Sequence, residues 1–178
     1  MTLLGRARRV RLLLMDVDGV LTDGLLYHFV DVRGRLVELK GFHSQDGMAL
    51  VWLAQSGVKT GLITGRVSEG VEGRARMLRM RYLVQGTVDK LPAFERILRR
   101  ARVDAREAAF IGDDLTDLPV MRRAGFAIAV ANARREVRRL AHLVTRSRGG
   151  EGAVREAVEL IMRSQGTWRA VLRRFSAV

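Results

Sequence analysis

Six short apolar runs, rich in β-branched residues, recur along this chain, and a polar segment with helical patterning follows each of them. Short strands that alternate with helices favour parallel pairing through right-handed crossovers. The sequence therefore predicts an α/β fold: a Rossmann-like, doubly wound, mostly parallel sheet with helices on both faces. The predicted strands are residues 10–17, 58–63, 82–84, 108–111, 126–130 and 142–145, and the predicted helices are residues 47–55, 68–78, 92–100, 118–123, 134–141 and 152–164.

One segment departs from this alternation. Residues 25–40 contain two strand-like runs around a turn at Gly34, which predicts a β-hairpin between the first strand and the first helix. The hairpin is either a small flap over the end of the first strand or an ordinary extra hairpin. We expect a single domain over residues 1–178. The tail, residues 166–178, begins at Gly166 and forms either a short docking helix or a frayed end.

The first predicted strand ends in two carboxylates, Asp16 and Asp18, which are followed by Gly19. Open α/β sheets bind ligands at the carboxyl ends of their strands, so this pair lies where a site is expected. Two unpaired carboxylates at this spacing would repel each other and raise the pKa of one of them. A divalent cation such as Mg²⁺, which prefers oxygen ligands, is the simplest remedy. Because solvated acid pairs are common, this prediction depends on the other strand ends.

Polar groups also follow the second and third parallel strands. Thr64, Gly65 and Arg66 could offer a phosphate a hydroxyl, backbone N–H groups and a positive charge, although Thr-Gly also simply caps helices. Lys90 stands just before a predicted helix and is one of only three lysines in the chain. Arginine would serve there if charge alone sufficed, so the sequence indicates a need for a compact ammonium group.

An acid cluster, Asp113, Asp114 and Asp117, follows the next strand. Carboxylates near a helix N-terminus are favourable in themselves, because they interact with the helix dipole. That explanation does not account for three acids here together with Asp16 and Asp18. Their order and placement fit one metal–phosphate site.

These parts indicate a chemistry. Asp16 attacks phosphorus and forms an aspartyl-phosphate, and Asp18 protonates the leaving alkoxide before it activates water. Mg²⁺, held by Asp16, the Asp18 backbone carbonyl and Asp113, offsets the repulsion between the two anions. Thr64 and Lys90 hold the phosphoryl oxygens.

The formal net charge of +13 has two interpretations, since all but three of the 32 basic residues are arginines. A basic scaffold that binds nucleic acid or an acidic partner is one of them. The other is arginine on solvated helix faces, together with attraction for an anionic substrate. The arginines are dispersed and aromatic residues make up only 6% of the chain, so we favour the second and expect no nucleic-acid partner. Without cysteine, any metal must use oxygen or imidazole ligands.

No apolar run approaches the roughly 20 residues of a membrane span. The apolar stretch that follows the basic N-terminal segment is too short for a signal peptide and ends in Asp16. We therefore expect no membrane partner and a cytoplasmic location.

The Asp16-Val17-Asp18 strand end, Thr64, Lys90 and the Gly112-Asp113-Asp114 cluster resemble, in this order, the four motifs of the haloacid dehalogenase-type phosphatases. Over about residues 10–166, the chain is similar to the branch that hydrolyses 3-deoxy-D-manno-octulosonate 8-phosphate. This resemblance implies Mg²⁺-dependent hydrolysis of a phosphorylated sugar acid, in lipopolysaccharide sugar synthesis, by a homotetramer without a large cap domain. It also implies that the β-hairpins pack around the tetramer axis and that the C-terminal tail can approach a neighbour's site.

The resemblance also implies the contacts with the sugar. Arg66 and Arg74, which we expect on one face of the second helix, would grip the sugar-acid carboxylate. Two positions depart from the branch, since His43 stands where Asn is common and Val51 where a basic residue is often found. Another sugar-acid phosphate or an aryl phosphate therefore stays open as the substrate. The implied contacts are Asp18, His43, Ser44, Gln45, Asp46, Gly47, Arg66, Arg74 and Thr116.

Overall fold

A computed structural model of the protein describes residues 1–176. Its strands are β1 (Leu12–Met15), β2 (Tyr27–Val30), β3 (Leu36–Leu39), β4 (Lys59–Ile63), β5 (Tyr82–Val84), β6 (Ala108–Gly112), β7 (Phe126–Ala129) and β8 (Leu143–Val144). Its α-helices are α1 (Leu3–Arg8), α2 (Ser44–Gln55), α3 (Glu69–Met77), α4 (Leu91–Ala101), α5 (Leu118–Arg123), α6 (Arg135–Leu140), α7 (Ala153–Ser164) and α8 (Trp168–Arg174). Short 3₁₀ turns span Ala105–Glu107 and Leu115–Asp117.

Six strands form one sheet in the order β5-β4-β1-β6-β7-β8, and all of its neighbouring pairs are parallel. From β1 the chain winds outward through β4 to β5 and then returns to β6, so the direction of winding reverses at β1. Ligands bind at such a switch point in open α/β sheets. The prediction of a doubly wound parallel sheet is confirmed.

Helices cover both faces of this sheet. Helix α7 packs against α1 and α2, and α4, α5 and α6 pack against one another in sequence. When all crossovers are right-handed, strands added in opposite directions place their helices on opposite faces of the sheet. Residues Leu12–Met15 of β1 have no solvent exposure, and Phe94, Phe110 and Phe126 fill the core beside them. Because both faces are covered, strands such as β1 and β7 are continuously apolar rather than alternating.

The first strand is shorter than the predicted 10–17. The Val17 carbonyl accepts hydrogen bonds from the N–H groups of Leu21 and Thr22, at 2.9 and 3.0 Å, so the chain turns directly after Asp16. Val17 is nevertheless fully buried, so an apolar residue here is required by the core and does not mark a longer strand.

Helix α1 was not predicted. Thr2 caps it by accepting a hydrogen bond from the Gly5 N–H at 3.2 Å. Only Ala7 of its six residues is buried, so the local pattern carries almost no amphipathic signal. Arg6 donates to the Gly125 carbonyl at 2.7 Å and helps to hold the helix against the domain.

The predicted hairpin is present as a separate two-stranded antiparallel sheet of β2 and β3. Its register pairs Tyr27 with Leu39 and Val30 with Leu36. Unlike the central sheet, the hairpin leaves large apolar side chains exposed to solvent, and these include Tyr27, Phe29, Val30, Leu36 and Leu39. Residues 1–176 include no larger cap domain.

In the predicted tail, α8 forms a docking helix. The Trp168 ring meets the Trp52 ring of α2 edge to face with centroids 5.8 Å apart, and the Arg155 guanidinium of α7 stacks over both rings. The end of the predicted tail, residues 177–178, lies outside the described residues. Among the residues that are described, no helix has the length and apolarity that crossing a bilayer would need.

Candidate active site

The polar groups predicted at the strand ends come to one edge of the sheet. Strands β1, β4 and β6 pair in register, with Met15 opposite both Leu62 and Ile111. Asp16, Thr64 and Asp113 are the residues that directly follow these three strands. Parallel pairing therefore delivers all three side chains to the carboxyl edge at the switch point.

Lys90 is buried between two carboxylates. Its ammonium nitrogen lies 2.8 Å from Asp16 Oδ2 and 2.7 Å from Asp117 Oδ1. Burial alone would lower the pKa of Lys90, but the charges of Asp16 and Asp117 outweigh burial and raise this pKa above its ordinary value. The ammonium group therefore stays charged and fixes the direction of the Asp16 carboxylate.

Asp117 organises the loop that carries Asp113. It is fully buried, and its Oδ2 accepts hydrogen bonds from the backbone N–H groups of Asp113 at 2.9 Å and Asp114 at 3.3 Å. Asp113 Oδ1 is buried with no hydrogen-bond partner. Gly19 packs directly on this carboxylate with φ of +87°, and a Cβ at Gly19 would overlap Asp113 Oδ2.

One cation fits this acid cluster. Carboxylate oxygens of Asp16, Asp113 and Asp117 lie within 4.8 Å of one another. Burial, the largest cause, and the Asp117 and Asp16 charges raise the pKa of Asp113 to about 8, whereas burial and the Asp117 charge raise the pKa of Asp16 to about 6. Lys90 supplies one positive charge to these three acids, and Asp113 Oδ1 is buried without a hydrogen-bond partner. The donor set is all oxygen, which suits a hard divalent cation.

Asp18 belongs to a second group of charges. Its Oδ1 accepts a hydrogen bond from the Lys40 ammonium group at the end of β3, and its Oδ2 lies 3.7 Å from Arg66 Nε. Glu38 of β3 accepts a hydrogen bond from Arg66 Nη2 at 2.6 Å. The hairpin therefore reaches the site through charged side chains.

Thr64 ties the end of β4 to the loop that leads to Lys90. Its backbone N–H donates to the Val84 carbonyl at 3.0 Å, and its carbonyl accepts from the Thr87 N–H at 3.2 Å. The Thr64 side chain is buried at the same edge as Asp16.

The residues implied for the sugar lie around the start of α2. His43 is the N-cap residue of α2, and Ser44 and Gln45 in its first turn are exposed. Asp46 is instead fully buried, and its Oδ1 accepts a hydrogen bond from the Arg155 N–H of α7 at 2.7 Å. Its Oδ2 lies 3.9 Å from His43 Nδ1. The Asp46 carboxylate therefore faces the N-terminus of α7.

Arg66 and Arg74 do not share a helix. Helix α3 begins at Glu69, after Ser68 at its N-cap, so Arg66 lies in the preceding loop and the expectation of one helical face is wrong. The Arg74 guanidinium stacks over the Phe42 ring at 5.5 Å and packs against Gly47, where a Cβ would overlap it.

The two remaining predicted positions have simple surroundings. Thr116 is exposed in the 3₁₀ turn beside Asp117. Val51 is half-buried in α2 and packs against the core.

The sequence assigns no role to Lys40 or Glu38, and it assigns Asp117 only to the acid cluster as a whole. Asp117 stood in the predicted acid cluster, four residues after Asp113. Lys40, like Lys90, is a lysine in a chain that otherwise uses arginine, and that signal could have identified it.

Comparisons with known proteins agree with this geometry. The family described as haloacid dehalogenase-like hydrolase matches residues 79–157. The chain is 42% identical over 160 residues to the 3-deoxy-D-manno-octulosonate 8-phosphate phosphatase of Yersinia pestis, covering 90% of this chain and 83% of the relative.

Solved structures give the same result. A probable YrbI family phosphatase from Pseudomonas syringae pv. phaseolica 1448a superposes with a TM-score of 0.92 at 44% identity, covering 97% of this chain and 96% of that one. A 3-deoxy-D-manno-octulosonate 8-phosphate phosphatase from Moraxella catarrhalis, in complex with magnesium, phosphate and KDO, superposes with a TM-score of 0.91 at 39% identity, covering 97% of both chains. The chain therefore belongs to the haloacid dehalogenase-like hydrolases, in the branch of the 3-deoxy-D-manno-octulosonate 8-phosphate phosphatases.

Proposed function

We propose that this protein is a Mg²⁺-dependent phosphomonoesterase that hydrolyses 3-deoxy-D-manno-octulosonate 8-phosphate to the free sugar acid and phosphate. The observation that carries this proposal is the convergence of the Asp16, Asp113 and Asp117 carboxylates, with Lys90 buried among them, at the ends of adjacent parallel strands. The relative from Moraxella catarrhalis, which binds magnesium, phosphate and KDO, supports both the cation and the substrate.

Asp16 is the nucleophile of the proposed reaction. One of its carboxylate oxygens forms a bond to phosphorus while the bond from phosphorus to the sugar oxygen breaks. Asp18 gives its proton to the departing oxygen and then takes a proton from the water that attacks the aspartyl-phosphate. Hydrolysis releases phosphate and restores the Asp16 carboxylate.

The other residues hold the phosphoryl group. Lys90, already 2.8 Å from Asp16 Oδ2, and the Thr64 hydroxyl donate to the phosphoryl oxygens as charge spreads over them. Asp16, Asp113 and the backbone carbonyl of Asp18 would hold Mg²⁺. When bound, the ion supplies the positive charge that lets an anionic carboxylate approach an anionic phosphate.

The sugar acid occupies the side of the site formed by the start of α2 and the loop after β4. Arg66 and Arg74 bind its carboxylate, from the loop and from α3 respectively. The rest of this wall consists of Asp18, His43, Ser44, Gln45, Asp46, Gly47 and Thr116. The buried Asp46 contributes by fixing α2 against α7.

The proposed domain organisation is a single hydrolase domain over residues 1–178, in which residues 25–40 form the flap and residues 166–178 the tail.

A homotetramer is the assembly we propose. The hairpin exposes large apolar side chains on a two-stranded sheet, such as Phe29 and Leu36. Exposed apolar patches of this kind mark protein–protein contacts. The proposed setting is cytoplasmic lipopolysaccharide sugar synthesis.

His43 favours one alternative with the same chemistry. An imidazole in place of the amide common in the branch changes the hydrogen bonds available to the sugar, so another sugar-acid phosphate, or an aryl phosphate, is the second candidate substrate. Phosphate release with Mg²⁺ should be measured across sugar-acid and aryl phosphates. The octulosonate phosphate should give the highest kcat/KM, and a preference of tenfold or more for another member would replace it.

A matched pair of variants tests the metal site. Asp113 follows β6 and Asp104 precedes it, so Asp113→Asn and Asp104→Asn make the same change at opposite ends of one strand. In Asp113→Asn the loss of a carboxylate ligand should weaken Mg²⁺ binding by at least the roughly 10- to 100-fold that a change in a ligand's hydrogen-bond partner costs, whereas Asp104→Asn should bind Mg²⁺ like the wild type. Equal Mg²⁺ affinities in titration calorimetry would remove Asp113 from the site.

A further inference from the structure

Two buried polar atoms face each other at the start of α2. Asp46 Oδ2 and His43 Nδ1 lie 3.9 Å apart, and neither has a hydrogen-bond partner among the described residues. A buried polar atom without a partner carries the cost of its lost hydration. A small rotation of the imidazole ring would close the gap, so each of these two atoms is the natural partner of the other.

The Asp46 carboxylate is held in place on its other side. Its Oδ1 accepts a hydrogen bond from the Arg155 N–H in the first turn of α7 at 2.7 Å, and its side chain has no solvent exposure. The N-terminus of a helix also stabilises a negative charge through the helix dipole. Asp46 therefore presents a fixed acceptor to His43 Nδ1.

The second nitrogen of the His43 ring is the one that a ligand can reach. The His43 side chain is 33% exposed although its Nδ1 is buried, so the exposed nitrogen is Nε2. The ring lies beside Gly152, where a Cβ would be 3.9 Å from His43 Cε1. Gly149, in the same loop, packs on the carbonyl of Gly19, which directly follows Asp18. One short loop thus connects the surroundings of His43 with the turn that carries Asp18.

A neutral imidazole donates from one ring nitrogen and accepts at the other, and the partner of one nitrogen decides which of them carries the hydrogen. We propose that Asp46 is the positioning residue of His43: it keeps the hydrogen on Nδ1, so that Nε2 accepts a hydrogen bond from a hydroxyl group of the sugar acid. This inference rests on the proposed phosphatase function. The amide common at this position in the branch both donates and accepts, whereas Nε2 in this state only accepts. The ring therefore favours a hydroxyl group at this point over a carboxylate or phosphate oxygen, which has no hydrogen to donate.

Nitrogen NMR measures the state of the ring without any substrate. At about pH 8, where an ordinary imidazole is neutral, long-range proton–nitrogen correlation distinguishes a ring nitrogen that carries hydrogen from one with a lone pair. His142 is an internal reference of the opposite kind, because its Nδ1 accepts a hydrogen bond from the Ala127 N–H at 3.0 Å. The His43 signals, identified by their loss in His43→Asn, should show the hydrogen on Nδ1. A lone pair on Nδ1, or hydrogen on both nitrogens, would overturn the proposal.

Asp46→Asn should reverse this arrangement. The asparagine oxygen can still accept from the Arg155 N–H, which turns its NH₂ group towards Nδ1 as a donor, so the ring hydrogen moves to Nε2. Asp104→Asn is the matched control, because Asp104 also accepts from a backbone N–H, that of Arg106 at 2.8 Å; it should leave the His43 signals unchanged. Unchanged signals in a folded Asp46→Asn would contradict the role of Asp46. If circular dichroism shows that Asp46→Asn does not fold, the wild-type spectrum decides.

Kinetics with the octulosonate phosphate and Mg²⁺ test the contact with the sugar. In Asp46→Asn, loss of one accepted hydrogen bond should raise KM about three- to tenfold and change kcat less. In a His43→Asn background the ring is gone, and adding Asp46→Asn should leave KM unchanged. An equal rise of KM in both backgrounds would mean that Asp46 only holds two helices together, and would overturn the proposal. A wild-type protein that does not hydrolyse this phosphate would instead refute the proposed function, and the NMR spectra would still report on the pair itself.

Discussion

The two ends of the proposed site are built differently. At the phosphate end, Asp16, Lys90 and Asp117 are buried, follow or adjoin strands of the central sheet and bind one another at hydrogen-bond distance. At the sugar end, the hairpin adjoins the site through the ion pairs of Lys40 and Glu38, and most of its large side chains face solvent. In the proposed mechanism the nucleophile Asp16 thus lies at the buried edge of the sheet, whereas the residues proposed to contact the sugar lie largely on loops and at helix starts.

The largest effect that would test this contrast is expected from Lys90→Met. Removing the cation leaves Asp16 and Asp117 buried without their partner, and breaking a buried ion pair from one side costs about 3–5 kcal/mol of unfolding free energy. Denaturant unfolding should show this loss, and phosphatase activity should disappear. Lys59 donates a hydrogen bond only to the Ala101 carbonyl, so Lys59→Met should lose about 1 kcal/mol, the value of one hydrogen bond. Equal losses in the two variants would mean that the phosphate end is no more tightly built than an ordinary edge of the fold.

An intermediate effect is expected from Gly19→Ala. Gly19 and Gly34 both have positive φ, but a Cβ would overlap the Asp113 carboxylate only at Gly19, whereas nothing lies within 4 Å of Gly34. Both alanine variants carry the cost of a left-handed residue, about 1–2 kcal/mol. Only Gly19→Ala should also weaken Mg²⁺ binding, by about tenfold or more through displacement of a ligand. Titration calorimetry with Mg²⁺ on both variants separates the effect of backbone strain from the effect of displacing the Asp113 carboxylate. An unchanged Mg²⁺ affinity in Gly19→Ala would contradict the assignment of Asp113 as a metal ligand.

The smallest effect concerns pH and the hairpin. Burial opposes ionisation of Glu38, but hydrogen bonding to Arg66 and the charge of Lys40 hold its pKa below the ordinary value. Glu38 therefore binds its proton more tightly in the unfolded chain than in the folded protein. The stabilising contribution of Glu38 is complete above a pH of about 4.3 and is lost as pH falls through the depressed folded pKa.

Hydrogen exchange across the hairpin, corrected for the intrinsic effect of pH, measures this contribution. Protection of β2 and β3 should decrease in acid while that of β1 persists. Glu38→Gln should show the lower protection already at neutral pH. Protection that is identical in wild type and Glu38→Gln at every pH would contradict the role of these ion pairs.

The phosphate end was predictable because its signals are local. Asp16, Thr64 and Asp113 each follow an apolar strand, and parallel pairing alone brings strand ends together. The sequence could not reveal the contacts of Lys40 with Asp18, since these depend on how the hairpin folds back across 22 residues.

Two other features also depend on contacts between distant parts of the chain and could not be predicted from the sequence. The burial of Asp46 depends on the N-terminus of α7, which is more than 100 residues away. Helix α1 was missed because its stability depends on packing against α7 and not on an amphipathic pattern of its own. The order of elements in the sheet was therefore easier to predict than the partners of individual side chains on loops.

The most direct test of the account is to trap the aspartyl-phosphate. Asp18→Asn removes both the acid for the leaving group and the base that activates water, so the trapping substrate is 4-nitrophenyl phosphate, whose leaving group departs without a proton; with Mg²⁺ the intermediate should then form and accumulate. After an acid quench, borohydride reduces an acyl phosphate to an alcohol, and mass spectrometry of the resulting peptides locates the modified residue. We expect the label at Asp16, and only when Mg²⁺ is present. A label at any other carboxylate, or no labelled enzyme while phosphate is still released, would contradict the central claim that Asp16 accepts the phosphoryl group.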